Sequence, residues 1–407
     1  DGGRVKIVDD VVYTLNFVAK PENKVVTQTN VNWIESAEKL DKYKVRIKLK
    51  RTFPAAIDYL AGPVVIHPNE YYAKVGPNGM NTAAVGSGPY KVVEHALGKV
   101  VKLQRNADYF KDSPKPQPQI ERIEIRLIPD RQTHVAELLA GSLDFVMNIA
   151  PDQADQMKVV PHLQVKSGET MRIVFLNINT LPDTPTPALK DIRVRQAILH
   201  AIDRPAMVKQ LVGAGARVLN VICYPSQFGC SDAKAKTFAY DPAKAKQLMS
   251  DAGFPNGFET EFYAYRERQQ SEAMINYLRA IGIKANLRFM QYVAMREQVR
   301  AGKAPLAHQT WGSFSVNDTS ASTPVYFGGG ADDINKDPDV IALLAKGDNS
   351  VDPAVRKAAY EEALGLMTER ALGVPLYALV SYYVSGKGLD FRPYPDELPR
   401  FWEMSWK

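Results

Sequence analysis

The stretch Asp191-Ile192-Arg193-Val194-Arg195-Gln196-Ala197-Ile198-Leu199-His200-Ala201-Ile202-Asp203-Arg204 decides the fold of this 407-residue chain. It follows a strand-like run at 173–179, IVFLNIN. Apolar residues recur in it at helical spacing and predict one buried stripe on an amphipathic helix: Val194, Ala197, Ile198, Ala201 and Ile202. The polar residues Arg193, Arg195 and His200 are expected to lie off that stripe. The pattern therefore predicts a helix that packs on a core strand.

Composition places the chain among soluble globular proteins, with 45% hydrophobic and 24% charged residues. Its length predicts two or three domains.

We find no apolar run long enough to cross a bilayer and no signal segment after Asp1, so we expect a mature or truncated chain. The net charge is +6. The densest basic run, at 42–51, alternates with apolar residues and predicts a strand with one wet face, not a nucleic-acid surface.

Residues up to about 170 have the pattern of strands with short helices. A hairpin is predicted from 91–95 and 99–103 about Gly98, and a half-buried strand from 123–127. Residues from about 180 to 375 alternate between helix and strand, with strands at 283–289 and 306–311 and helices ending near 280 and 301. This alternation indicates an α/β domain.

Two helices of the second region carry clear end signals. Asp241 and Asp352 each stand before a proline, which predicts an N-cap followed by the first helical position. Gly253 and Gly373 stand where these helices should end. The aromatic, apolar run at 377–384 predicts a buried strand.

The two cysteines, Cys223 and Cys230, are separated by a short segment with Pro and Gly. In an oxidising compartment this spacing favours a short-loop disulfide, with free thiols as the alternative. A metal site would need further ligands nearby, and the sequence offers none.

Motifs for catalysis are missing from the sequence: there is no Gly-x-Ser-x-Gly, no phosphate-binding glycine loop and no His-Glu-x-x-His. The six histidines have no ligand spacing and are expected at the surface or in the core: His67, His95, His134, His162, His200 and His308. The Gly328–Gly330 run predicts a flexible loop. We expect no catalytic residue, no metal and no cofactor; an enzyme on an α/β scaffold is the remote alternative.

Several motifs, in one order along the chain, resemble the large peptide, opine and nickel solute-binding proteins (family 5) of bacterial ABC importers. They are DDVVYTL at 9–15, GSGPY at 86–90, RNADYF at 105–110, IPD at 128–130, LAGSLD at 139–144, the stretch at 191–204, YDPAKA at 240–245 and AGFPNG at 252–257.

This resemblance implies a type II, two-lobed periplasmic-binding-protein fold of α/β class, with an extra subdomain in the first lobe and a ligand cleft between lobes that close on the solute. The first lobe is expected at 1–175 and 380–407, without the family's usual N-terminal segment. The second lobe is expected at 176–379. The chain is expected to pass between the two lobes near Arg172 to Asn179 and near Tyr377 to Ser385.

The resemblance also implies a function: the binding component of an ABC transporter, which captures a small peptide or peptide-like polar solute and delivers it to the permease and its ATPase. We expect a monomer in the periplasm, free or lipid-anchored, that is not an enzyme. An opine or nickel-chelate binder of the same family is the alternative. A receptor subunit that signals solute occupancy is a third possibility.

In peptide-binding relatives an acidic residue three places after a Trp holds the ligand's ammonium. Here Phe314 stands three places after Trp311, a departure that weakens the peptide assignment. We expect Asn317 and Asp318 to give polar contacts instead, and Trp311 and Phe314 to form apolar walls. The alternative is that both rings belong to the core.

Dipeptide-binding relatives place a carboxylate-holding Arg near 265–268. Arg268 is our first choice and Arg266 our second, because a guanidinium grips a carboxylate with two parallel hydrogen bonds. The alternative is a solvated pair beside Glu267. The hydroxyl of Tyr265 is expected to point into the same space, and Tyr383, with Tyr382, to line its floor.

Overall fold

The computed structural model describes residues 7–213, 215–312 and 315–407, apart from the side chains of Ile7, Thr29 and Arg131. The chain forms two compact units. The first unit comprises the chain up to Arg51, Tyr59–Gly168 and Ser381–Lys407, and the second comprises Thr52–Asp58 and Glu169–Val380. Among the helices of the described residues, none is both long and apolar enough to span a bilayer.

The first unit is built of small sheets and short helices. Its helices are α1 (Ile7–Val18), α3 (Asn69–Thr82), α4 (Arg131–Leu139) and α5 (Pro151–Met157), and its strands are β1 (Ile34–Asp41), β2 (Lys44–Leu49), β3 (Tyr90–Ala96), β4 (Val100–Arg105), β5 (Arg122–Arg126), β6 (Phe145–Met147), β13 (Leu389–Asp390) and β14 (Ser405–Trp406). Strands β1–β2, β3–β4–β5 and β13–β14 pair antiparallel. The predicted hairpin about Gly98 and the predicted strand at 123–127 are confirmed as β3, β4 and β5.

The second unit alternates helix and strand. Its helices are α6 (Ile192–Ala201), α7 (Arg204–Met207), α8 (Pro242–Asp251), α9 (Arg268–Ala280), α10 (Tyr292–Arg300), α11 (Thr323–Phe327), α12 (Pro338–Asn349) and α13 (Pro353–Glu369), and its strands are β8 (Arg217–Val218), β9 (Phe258–Ala264), β10 (Ile283–Phe289) and β11 (Leu306–Gly312). The chain passes from one unit to the other at four points. One lies between Arg51 and Thr52, and the other three lie within α2 (Ala56–Ala61), β7 (Leu163–Ile178) and β12 (Gly373–Gly386).

The sheet of the second unit has the order β10-β9-β11-β7-β12, with β8 beside β12. Strands β10, β9 and β11 run parallel, whereas β7 runs antiparallel to β11. Helices α6 and α9 pack their apolar residues on this sheet in one core cluster with Val174, Leu176 and Ile178 of β7. The helix-strand alternation predicted from the sequence is confirmed.

Helix α6 begins where the sequence predicts, because the Asp191 carboxylate caps it by accepting a hydrogen bond from the backbone N–H of Arg193 at 2.8 Å. All five residues of its apolar stripe are at most 1% exposed: Val194, Ala197, Ile198, Ala201 and Ile202. Burying such side chains stabilises the fold by about 1.5 to 3 kcal/mol for each large one.

Arg195 corrects the sequence analysis, which placed it off the buried stripe. Its side chain is buried, and its guanidinium donates to the carbonyls of Leu189, Lys190, Arg370 and Ala371 at 2.8 to 3.1 Å. Burial lowers the pKa of Arg195. The guanidinium thereby joins the turn before α6 to the turn before β12.

Arg204, the last residue of the deciding stretch, is buried in the same way. It donates to the carbonyls of Leu219, Phe238 and Pro375 at 2.7 to 3.1 Å. These three carbonyls belong to separate segments, one of which is β12 itself. A buried guanidinium needs such acceptors, because an unpaired buried charge is costly.

The predicted caps of α8 and α13 are confirmed, since Asp241 accepts from Lys244 N–H and Asp352 from Ala354 N–H. The prediction that Gly373 ends α13 is wrong. That helix ends at Glu369, and Ala371 takes the left-handed conformation with φ of 50°. Gly373 instead begins β12, where an added Cβ would lie 3.0 Å from the Leu176 carbonyl oxygen.

Two glycines meet where β9 and β10 begin. Gly257 (φ +73°) and Gly282 (φ +91°) both have left-handed backbones, and a Cβ on Gly257 would lie 1.8 Å from the Gly282 carbonyl oxygen. Glycine is therefore required at Gly257 for both conformation and space.

The Gly328–Gly330 segment, which the sequence predicts to be flexible, leads into an anchored turn. Asp332 is buried and accepts paired hydrogen bonds from Arg296 and Arg300 of α10 at 2.8 to 3.0 Å. The Asp333 carboxylate accepts from the N–H of Gly329 at 2.8 Å. These charge-assisted bonds hold the turn on α10.

Replacing Arg195 by Ala should lower the free energy of unfolding by about 3 kcal/mol or more, because four carbonyls lose a charged donor. Arg193→Ala is the matched control. Arg193 lies on the exposed side of the same helix in a surface ion pair with Asp191, so its loss should cost less than about 1 kcal/mol. Urea unfolding followed by circular dichroism measures both values, and equal losses would contradict the role of Arg195.

Replacing Asp332 by Asn should destabilise the protein by about 1 to 3 kcal/mol at neutral pH, because two guanidiniums lose a charged acceptor. Burial raises the pKa of Asp332, but the hydrogen bonds from Arg296 and Arg300 outweigh it and leave that pKa below its usual value. A carboxylate whose pKa is lower in the folded than in the unfolded state stabilises the fold at pH values above its unfolded pKa of about 3.9. This contribution is lost as the pH falls through the folded-state pKa.

The difference in unfolding free energy between wild type and Asp332→Asn should therefore shrink between pH 6 and pH 3. Urea titrations across this range measure it. A difference that is constant or grows on acidification would show that the Asp332 carboxylate has no such role.

Candidate functional site

The carboxyl ends of β9, β10 and β11 lie at one edge of the second unit's sheet, because the three strands run parallel. Strand β7 enters the second unit at the same edge, since it is antiparallel to β11 and places Arg172 opposite Gly312. Open α/β sheets bind ligands outside the carboxyl ends of such strands. We call this set of residues, 169–172, 265–268, 290–292 and 311–312, the strand-end edge.

Aromatic rings at the strand-end edge are held in fixed positions. The hydroxyl of Tyr265 bonds to Thr310 Oγ1 at 2.6 Å, and its ring lies 5.0 Å from that of Tyr292. The indole N–H of Trp311 donates to the Ala321 carbonyl at 2.7 Å. Trp311 and Tyr265 are half-buried, so each ring keeps an accessible part.

Trp311 also packs edge-on against the buried ring of Tyr326, at 5.6 Å between centroids. Tyr326 belongs to a core cluster with Ile173 and Phe175 of β7. Trp311 therefore packs on a core cluster, and its role as an apolar wall of a ligand site stays a prediction.

Guanidinium groups also belong to the strand-end edge. The guanidinium of Arg172 lies against Gly312, where an added Cβ would be 3.0 Å from Nη2, so a larger residue at 312 would displace it. Arg266 is half-buried and lies 3.6 Å from a carboxylate oxygen of Glu267. The edge thus contains both positively charged side chains and aromatic rings.

Arg268, the first choice from the sequence, stands at the start of α9 in an exposed ion pair with Glu272 at 2.8 Å. Its guanidinium lies 5.4 Å from the ring of Phe289. Exposed pairs of this kind contribute about 0 to 1 kcal/mol. Arg268 is therefore at the edge but more solvated than Arg266.

A second polar group lies where β7 enters the unit. The hydroxyl of Tyr224 donates to Glu169 Oε2 at 2.8 Å, and Arg217 Nη2 lies 3.7 Å from the same oxygen. Burial and the neighbouring Glu169 carboxylate raise the pKa of Tyr224 to about 12. Tyr224 is buried, whereas about half of the Glu169 and Arg217 side chains is exposed.

The predicted disulfide is confirmed, with Cys223 and Cys230 bonded and their Cα atoms 5.8 Å apart. The loop that it closes contains Tyr224 and is tied to the segment after β11, because Phe228 N–H donates to the Asn317 carbonyl and Thr319 N–H to the Phe228 carbonyl. The disulfide loop thus fixes the backbone that carries Tyr224.

Asp318 lies in a buried ion pair. Both of its oxygens accept from Arg356 Nη2 at 2.9 Å, and Arg356 stacks 4.6 Å over the ring of Phe228. This pairing neutralises the Asp318 charge and gives it a structural role, so a ligand contact by Asp318 stays a prediction. Asn317 is exposed, with its side-chain oxygen 3.3 Å from Ser226 Oγ. Phe314 lies outside the described residues.

Tyr383 lies in the first unit, on β12, opposite Met147 of β6. It is buried in a cluster with Phe145 and Phe391, and burial raises its pKa. Tyr382 is also buried in that unit. The other predicted site residues that the structure describes all belong to the second unit.

Ser271 and His308 form a hydrogen bond of 2.8 Å between Oγ and Nδ1, a pairing that nucleophilic catalysis would use. Both are buried, at 0% and 2% exposure. Desolvation lowers the pKa of His308 to about 3, so the ring is neutral. Within the described part of the chain, no group of three or more His, Cys, Asp or Glu is arranged to hold a metal ion.

The sequence analysis missed Glu169, Arg172, Arg217 and Tyr224. Arg172 had a usable signal, since it lies at the start of the core run 173–179, at the expected crossing. The other three come from segments up to 55 residues apart, and only the disulfide next to Tyr224 hinted that this position is fixed.

Comparison with known proteins assigns the chain to a family. The sequence profile described as "Bacterial extracellular solute-binding proteins, family 5 Middle" matches residues 3–333. Heme-binding protein A of Haemophilus influenzae is 24% identical over 369 residues, which cover 86% of this chain and 65% of that protein. Glutathione-binding protein GsiB of Shigella flexneri is 28% identical over 287 residues, which cover 68% of this chain and 53% of that protein. The chain thus spans between about half and two thirds of these relatives.

Among solved structures, that of AgaA, a PBP from A. tumefaciens R10 in complex with agropinic acid, superposes with a TM-score of 0.79 at 26% identity, covering 98% of this chain and 83% of that one. The prediction of an α/β fold of the periplasmic-binding-protein type is confirmed by this match. The chain belongs to family 5 of the bacterial extracellular solute-binding proteins.

Proposed function

We propose that this protein is an exported receptor that binds a small solute with a carboxylate group and delivers it to an ABC permease and its ATPase. The observation that carries the proposal is the strand-end edge, which contains the guanidiniums of Arg172 and Arg266 and the half-buried rings of Tyr265 and Trp311. A few aimed polar groups next to apolar walls are typical of small-molecule sites.

The relatives support a carboxylate ligand. Heme and glutathione, for which two relatives are named, and agropinic acid, which is bound in the AgaA complex, all carry carboxylate groups. A guanidinium matches a carboxylate with two parallel hydrogen bonds, and the pair is strong where water is excluded. The proposal therefore covers both the peptide-like solute and the opine or chelate alternative, which differ in what surrounds the carboxylate.

We assign the residues of this site in order of support. Arg172 and Arg266 hold the carboxylate, and Tyr265 and Trp311 pack against the rest of the solute. Arg268 contributes less, because 59% of its side chain is exposed, against 36% for Arg266. Contacts by Phe314, Asn317 and Tyr383 remain proposals from the sequence.

Transport and not catalysis is the proposed role. The relatives are named for what they bind, and the buried Ser271–His308 pair is enclosed by the core. A monomer in the periplasm, free or held by a lipid, completes the proposal. Release of a chemically altered product from a bound solute would favour the enzyme alternative.

Native mass spectrometry of the purified protein, before and after gentle denaturation, tests the proposed function directly. We expect a discrete small mass that leaves on denaturation and that carries a carboxylate. If no mass is retained, calorimetric titration with glutathione, dipeptides, agropinic acid and heme follows. Failure of every one of these compounds to bind would contradict the proposed function.

Arg172→Ala and Arg266→Ala should each weaken binding of the solute by at least tenfold, because each leaves an enclosed carboxylate with one partner fewer. Arg268→Ala should weaken it less. Titration calorimetry measures all three dissociation constants.

Arg279→Ala is the matched control. Arg279 is an exposed arginine in the last turn of α9, whereas Arg268 starts that helix at the strand-end edge. Its replacement should leave the dissociation constant unchanged. Unchanged binding in Arg172→Ala and Arg266→Ala together would remove the strand-end edge as the carboxylate site.

A further inference from the structure

We propose that the solute also carries a protonated amine, and that Glu169 receives it, with the Tyr224 hydroxyl and the disulfide loop holding the Glu169 carboxylate in place. This inference rests on the proposed function. It adds that the solute must carry a positive charge as well as the carboxylate. It makes Glu169 a specificity-determining residue and Tyr224 a positioning residue.

Glu169 has the accessibility that a ligand contact needs. It is the first residue of β7 in the second unit, three residues before Arg172, and about half of its side chain is exposed. Within the described residues, Oε2 accepts a hydrogen bond from the Tyr224 hydroxyl, and Arg217 lies near the same oxygen. The other oxygen, Oε1, is available to a donor from a ligand.

Glu169 also lies on the appropriate side of its strand. Alternate residues of a strand point to the same face, so Glu169, Met171 and Ile173 share one face of β7. Ile173 is paired with Trp311 across the ladder, and Met171 and Trp311 pack on the same core cluster. An amine bound to Glu169 would therefore lie toward the Trp311 side of the sheet, where an aromatic ring favours a nearby cation.

The Tyr224 hydroxyl orients the carboxylate and stays protonated while doing so. Tyr224 is 2% exposed and its pKa is raised to about 12 by burial, so at neutral pH the hydroxyl remains a donor. A carboxylate that accepts this bond is fixed by a rigid phenol ring and loses little further freedom when a ligand arrives. Such preorganisation lowers the cost of binding.

The disulfide loop keeps Tyr224 where this bond requires it. Tyr224 follows Cys223 directly, and its N–H donates to Gln227 Oε1 at 3.0 Å inside the loop. The same loop is fastened to Asn317 and Thr319 through Phe228. Tyr224 is thus held by a covalent bridge on one side and by backbone hydrogen bonds on the other.

Arg217 is a neighbour that an amine can displace. It lies 3.7 Å from Glu169, beyond hydrogen-bond distance, and 5.6 Å from the Tyr224 ring, with 46% of its side chain exposed. A solvated pair of this kind contributes about 0 to 1 kcal/mol. A ligand amine that donates to Oε1 and excludes water makes a stronger contact, and Arg217 can remain on the Tyr224 ring.

The experiment compares ligands that differ only in the amine charge. Glutathione and the dipeptide Ala-Ala are titrated beside their N-acetyl derivatives, which keep the carboxylates and lack the ammonium. Wild type should bind at least one amine form at least tenfold more tightly than its acetylated form. Glu169→Gln should remove that preference by weakening the amine form at least tenfold and leaving the acetylated form within twofold.

Tyr224→Phe should reduce the preference about threefold, because it leaves Glu169 charged but less well oriented. Glu362→Gln is the matched control, since Glu362 is a similarly exposed glutamate, paired with Lys234, on α13. It should keep the wild-type preference. Equal binding of both forms by wild type, or a preference that survives in Glu169→Gln, overturns the inference.

Failure of the inference is distinguishable from failure of the proposed function. A carboxylate-bearing mass without an amine, retained in native mass spectrometry, would support the proposed function and overturn the amine. If neither amine probe binds to wild type, the ligand class inferred here is overturned, while the mass measurement decides separately whether the protein is a solute receptor.

Discussion

Buried guanidiniums that donate to backbone carbonyls organise the second unit. Arg195 joins the turn before α6 to the turn before β12, and Arg204 joins β12 to two other segments. Each replaces the water that these carbonyls would otherwise need, so loop ends can lie against the core without unsatisfied acceptors. These contacts tie the start of β12 to α6 and α7.

The same arrangement explains how the site is supported. Strand β7 lies between β11 and β12, and its first residues in the second unit, Glu169 to Arg172, reach the strand-end edge. The edge therefore combines ends of the parallel strands with the start of an antiparallel one. Rigid strands present its side chains, and a cross-linked loop supports one of them, which suits a site that must hold its geometry before the ligand arrives.

Local sequence patterns were sufficient to predict the helices and strands, but not to predict which charged side chains are buried. The apolar period of α6 and the caps at Asp241 and Asp352 are set by neighbouring residues, so the sequence predicts them correctly. Arg195 was misplaced because a helical period assigns charge to solvent, whereas its acceptors near Arg370 are 175 residues away. Ala371, not Gly373, takes the left-handed turn because the surrounding packing decides which residue bears the strain.

The candidate site likewise contains residues that local sequence predicts and residues that it does not. Tyr265, Arg266 and Trp311 were predictable, since each follows or ends a recognisable strand. The group formed by Glu169, Arg217 and Tyr224 was not, because three distant segments create it. Asp318 has the sequence context of an accessible loop acid, yet Arg356, 38 residues later, neutralises it.

The contact between Gly257 and Gly282 restricts how this unit can change in evolution or by engineering. The turn before β9 and the turn before β10 pack so closely that a methyl group on Gly257 does not fit between them. The two turns must therefore be kept together. Grafting β9 or β10 alone, with its own turn, into another scaffold would remove the contact between Gly257 and Gly282. Chimeras of this unit should therefore be cut outside residues 257–282, with α9 carried along.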